Sequence, residues 1–100
     1  MIEYCVWDKE KQQTWFLDVI FESRTEAENV LLSLMEKANN DEKSRASMHD
    51  YFSLCGIHDP HEELTQYLKW QYSVIAKTPI VRKVDGYILE LPKMVMIDID

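Results

Sequence analysis

The chain has 100 residues, 46% hydrophobic and 29% charged, the size and composition of one globular domain with its own core. Only 2 glycines and 3 prolines exclude collagen-like, linker-like and glycine-rich phosphate-binding segments. Eighteen Asp and Glu against 11 Lys and Arg give a net charge of -7, which opposes direct binding to nucleic acid or an anionic membrane.

Residues 1–50 carry 11 acids and 6 bases, whereas residues 51–100 carry 7 and 5, so the negative field belongs mainly to the first half. Cys5 and Cys55 are the only thiols and lack framework spacing, which predicts two free thiols in a reducing cytoplasm. The opening MIEYCVWDKE has no basic n-region or apolar h-region, and no apolar run approaches the ~18 residues of a membrane span. A cytoplasmic protein is expected.

Ile2, Tyr4 and Val6 alternate with Glu3, Cys5 and Trp7, which predicts a strand over residues 2–7. Residues 14–21 read TWFLDVIF and predict a second strand, apolar on both sides except at Asp18, joined to the first by a hairpin. Ser23 and Glu26 have capping-box spacing, and Ala27, Val30, Leu31, Leu34, Met35 and Ala38 then recur on one face, so a helix is expected over residues 24–38. The polar run 39–44 reads as a flexible loop. A second helix is expected over residues 45–55, with Gly56 at the left-handed position after it and Ile57 closing against Phe52. Asp59 followed by Pro60, with Glu62 three residues on from Asp59, predicts a third helix with Leu64, Tyr67, Leu68, Tyr72 and Ile75 on its apolar face, ending by Thr78. Residues 80–84 and 87–91 flank Asp85-Gly86, the strongest hairpin signal in the chain, and a last strand follows over residues 94–99.

The expected order is therefore β-β-α-α-α-β-β-β in a single α+β domain over residues 1–100, with an antiparallel sheet of about four or five strands packed on helices. The expected core is Val6, Trp15, Leu17, Val19, Val30, Leu31, Leu34, Phe52, Leu64, Leu68 and Leu89.

His49, Cys55, His58 and His61 fall within thirteen residues and offer the one donor set suggesting a metal site or enzyme. Their spacing matches no zinc motif, and a structural zinc site needs four converging ligands. Six residues of helix also set Cys55 and His49 on roughly opposed sides, poor geometry for a nucleophile and its base. No catalytic residue, metal or cofactor is expected.

Asp18, Glu22, Glu26 and Glu28 lie within eleven residues countered only by Arg24, with Trp15 and Phe16 near in sequence. These six residues form the candidate partner-binding rim, because acids beside aromatic area suit recognition of a basic protein surface. The expected function is a small acidic binding or inhibitory module of the immunity-protein, antitoxin or phage-inhibitor type. Its partner would be a larger protein with a basic surface: a nuclease, a toxin domain or a nucleic-acid-handling complex. A second reading is a self-associating structural subunit, a homodimer through strand two and the terminal MVMIDI. A third, a metal protein or enzyme using the histidine cluster, carries less weight.

Overall fold

The computed structural model describes residues 6–8, 13–15, 19–59, 62–92 and 96–97. Strands β1 (Val6–Asp8) and β2 (Gln13–Trp15) pair antiparallel, with Val6 opposite Trp15, so the expected N-terminal hairpin is present. The remainder of the first strand, residues 2–5, lies outside the described residues, as do Phe16, Leu17 and Asp18 of the second. The chain next appears at Val19, which is buried, and Phe21 exchanges two backbone hydrogen bonds with Tyr87, at 2.8 and 2.9 Å.

Helix α1 (Arg24–Asn40) starts where its cap predicts and runs two residues beyond Ala38. Ala27, Leu34 and Ala38 are fully buried, while Val30, Leu31 and Met35 pack at the edge of the same cluster. Burying a leucine such as Leu34 contributes about 1.5–3 kcal/mol. The expected loop after α1 is a hydrogen-bonded turn. Asp41 Oδ2 accepts from the backbone N–H groups of Lys43 at 3.1 Å and Arg45 at 3.2 Å, an arrangement that lets Ser44 take φ +56°.

The region expected as one helix over residues 45–55 divides into strand β3 (Arg45–Ser47) and helix α2 (Met48–Leu54). A complete capping box between Ser47 and Asp50 explains the division, because it starts the helix only after Ser47. The other end follows expectation. Gly56 at φ +72° donates to Ser53 O, and Ile57 donates to Phe52 O, the two bonds of a Schellman cap.

The expected third helix is largely replaced. Helix α3 is the single turn Glu62–Thr65, followed by strand β4 (Leu68–Gln71) and helix α4 (Tyr72–Ala76). Leu68 and Trp70 are buried, Lys69 is half-buried and Gln71 exposed. That alternation wins because β4 is bonded on both sides, to β3 with Ala46 opposite Trp70, and to β7 (Met96–Ile97) with Leu68 opposite Ile97. Trp70 Nε1 donates to Pro92 O at 3.1 Å, and its ring meets Tyr51 edge-on with centroids 6.0 Å apart. Leu68 and Tyr72 suit either period, so the helical pattern was satisfied without a helix.

Strands β5 (Ile80–Lys83) and β6 (Gly86–Leu89) form the expected C-terminal hairpin, but its two-residue turn is Val84-Asp85 rather than Asp85-Gly86. Gly86, at φ +148°, pairs with Lys83 and lies against the Phe21 strand, where a Cβ would stand 2.3 Å from Phe21 O. The glycine serves close backbone approach.

The architecture is α+β with antiparallel pairing, but the single four- or five-stranded sheet is not found among the described residues. The described residues form three small sheets, β1-β2, β3-β4-β7 and β5-β6, and the order of their elements is β-β-α-β-α-α-β-α-β-β-β. Helix α4 intervenes between β4 and β5, and the β5-β6 hairpin pairs within itself and, through Tyr87, with Phe21. The central cluster joins α1, α2, β4, α4 and β6 through Leu34, Met48, Tyr51, Phe52, Leu68, Trp70, Ile75 and Leu89. Val19, Leu34, Phe52, Leu68 and Leu89 are buried as expected, Val30 and Leu31 only partly. The side chains of Val6, Trp15, Leu17 and Leu64 lie outside the described residues.

Candidate functional site

The corner where residues 19–22 lead into α1 holds Glu22, Glu26 and Glu28 of the expected rim. Ser23 caps the helix, its Oγ accepting from Glu26 N at 3.2 Å. Glu26 does not complete the box with Ser23; its Oε2 instead accepts from Glu22 N at 3.3 Å. That bond draws Glu22 and Glu26 together, and both residues are exposed. An acid in the first turn also complements the partial positive charge of the helix start.

Glu28 is placed differently. At about 100° per residue it lies some 200° around the helix from Glu26, where its carboxylate meets Arg24 Nε at 3.1 Å. Both partners are half-exposed, so the pair is worth at most a few tenths of a kcal/mol, but it does offset the charge of Glu28. Among the described residues neither Glu22 nor Glu26 has a cationic partner. Asp18 and Phe16 lie outside the described residues, and Trp15 is placed only as a backbone position in β2 opposite Val6.

Beside Glu26 runs a groove of about 320 Å³ lined by Phe21, Glu26, Asn29, Val30, Leu54 and Cys55. Of these, only Glu26 belongs to the expected rim, and Cys55 comes from the donor set. Glu26, Asn29 and Val30 stand at i, i+3 and i+4, a spacing readable in advance. The approach of Leu54, Cys55 and Phe21 depends on how α2 and the Phe21 strand pack, which no local pattern encodes.

The described members of the histidine cluster do not converge on one point. His49 Nδ1 lies 3.2 Å from Asp59 Oδ2, and its Nε2 lies 3.5 Å from Glu62 Oε1. Thr65 Oγ1 donates to the same oxygen of Asp59, so this buried carboxylate ties α2 to α3. Asp50, a possible oxygen ligand, closes its capping box and pairs with Lys37 Nζ at 3.6 Å. His58 is exposed, and His61 lies outside the described residues. Burial pushes the Cys55 thiol up to about 12, with a hydrogen bond to Tyr51 acting weakly the other way. Its thiolate, the form needed for attack or metal ligation, is therefore disfavoured at neutral pH. Among the described residues no three His, Cys, Asp or Glu side chains converge on a metal position, Cys55 is free, and no helix is long and apolar enough to cross a membrane.

The geometry thus offers two exposed carboxylates without a cationic partner among the described residues, one of them, Glu26, at a partly apolar groove. The chain matches no protein-family model, no curated protein and no solved structure.

Proposed function

We propose that this chain is a small acidic binding or inhibitory module of the cytoplasm that docks on a basic surface of a larger protein. A nuclease, a toxin domain or a nucleic-acid-handling complex has such a surface, and immunity proteins, antitoxins and phage inhibitors bind such targets by this physical route. The observation that carries the reading is the contrast at the start of α1: Glu28 is matched by Arg24, whereas among the described residues Glu22 and Glu26 have no cationic partner, and Glu26 borders the groove. With a net charge of -7, the chain also sets up a long-range field that speeds encounter with a basic surface and opposes binding to phosphate backbones. The reading assigns no catalytic step and no cofactor.

The test compares the parent with a Glu22→Gln, Glu26→Gln, Glu28→Gln variant in affinity capture at low and high salt, with light scattering to give the oligomeric mass. A basic partner held at low salt, released at high salt and captured less by the variant supports docking. Equal capture by parent and variant, or a homodimer that captures nothing, removes it in favour of self-association.

A further inference from the structure

The groove beside Glu26 combines apolar surface with one sign of charge. Phe21, Val30, Leu54 and the Cys55 thiol supply the apolar part, Asn29 a polar amide, and Glu26 the one charged side chain among the described lining residues. Resting on the docking reading, we infer that this groove seats an arginine side chain of the basic partner.

The inference follows from which side chains the lining admits. A purely apolar side chain would strip water from Glu26 and return no hydrogen bond, a costly exchange for a charged group. An acidic side chain would meet like charge from both Glu26 and Glu22. Arginine lays an apolar stem along apolar surface and ends in a weakly hydrated planar cation with several donors, suited to a carboxylate and a neighbouring amide oxygen. Lysine has the stem but not the fork, and its compact ammonium holds water more tightly. Glu26 Oε2 already accepts from Glu22 N, which fixes the carboxylate at the groove edge. Because burial keeps the Cys55 thiol protonated, the lining gains no second negative charge there at neutral pH.

The experiment uses the full isotopically labelled chain and two probes, acetyl-Ala-Arg-Ala-amide and the same peptide with citrulline in place of arginine. Citrulline keeps the shape and removes the charge. Saturable amide shifts at Asn29, Val30 and Cys55 with the arginine peptide but not the citrulline peptide are expected. Glu26→Gln, which keeps the acceptor for Glu22 N, should weaken binding by about two- to fivefold, the range of a partly exposed ion pair. No saturable shift, equal response to citrulline, or shifts centred on other acidic segments overturns the inference. Failure of the two readings is distinguishable. If the peptide fails while partner capture still depends on Glu22 and Glu26, the groove assignment falls and docking stands. If the peptide binds at the groove while capture ignores these residues, docking falls.

Discussion

Helices α1 and α2 begin with the same device, a serine at the N-cap and an acid three residues later, yet the two starts serve different ends. At α2 the device is closed: Ser47 and Asp50 satisfy each other's backbone N–H, Ser47 is buried, and Asp50 is tied to α1 through Lys37. At α1 the device is open. Glu26 reaches past Ser23 to Glu22 N and stays exposed beside the groove. One motif thus braces the fold where its surroundings bury it and leaves its acid exposed where they do not. Around α2 the residues are held by packing, with Met48, Tyr51 and Phe52 fully buried; around the start of α1 they are held by short-range hydrogen bonds at the surface.

The sharpest way to break this contrast is to empty the packed side. Phe52→Ala removes a fully buried ring from the cluster that joins α1, α2 and β4, and should cost about 3–5 kcal/mol in chemical denaturation. A loss below about 1 kcal/mol would show that α2 is not part of the core.

A smaller effect tests how dry the junction between the two regions is. A thiol held near 12 in the fold and ionising near 8.5–9 when unfolded favours the folded state below the lower value. That contribution is lost as pH rises through the gap. Between pH 8 and pH 10 the parent should lose about 1–2 kcal/mol more stability than Cys55→Ala does. Identical alkaline profiles would place Cys55 in water.

Next come the two caps. Ser47→Ala should cost about 1–2 kcal/mol and Ser23→Ala about half as much, both within the range for a lost N-cap. Equal costs would erase the distinction between the closed and the open start.

How much of this was legible beforehand depends on whether local and distant forces agree. The α1 start, the Schellman cap at Gly56 and the C-terminal hairpin were readable because each is settled within a few residues. β4 was not, since Leu68, Tyr72 and Ile75 also fit a helical face and only pairing with β3 and β7 selects the strand. β3 was hidden for the same reason, although the Ser47–Asp50 box that marks its end stands at the required spacing. At the candidate site, Glu22 and Glu26 were legible as charges, but the groove was not, because Phe21, Leu54 and Cys55 reach it from separate elements. Asp59 looked like a helix cap by spacing, and its partnership with His49, ten residues earlier, follows from the packing of α2 on the 59–65 segment.

The claim that the open start of α1 serves association and not stability is met most directly by one kinetic comparison. Association of the captured basic partner is followed by stopped flow over a range of ionic strength, for the parent and for Glu22→Gln, Glu26→Gln. Denaturation of the double variant should stay within about 0.5 kcal/mol of the parent, as for exposed surface changes. Its association rate should be lower at low salt, its salt slope shallower, and the two rates should converge at high salt as screening removes the steering field. Equal rates and slopes at every ionic strength would contradict the account and reduce Glu22 and Glu26 to a solvated helix start.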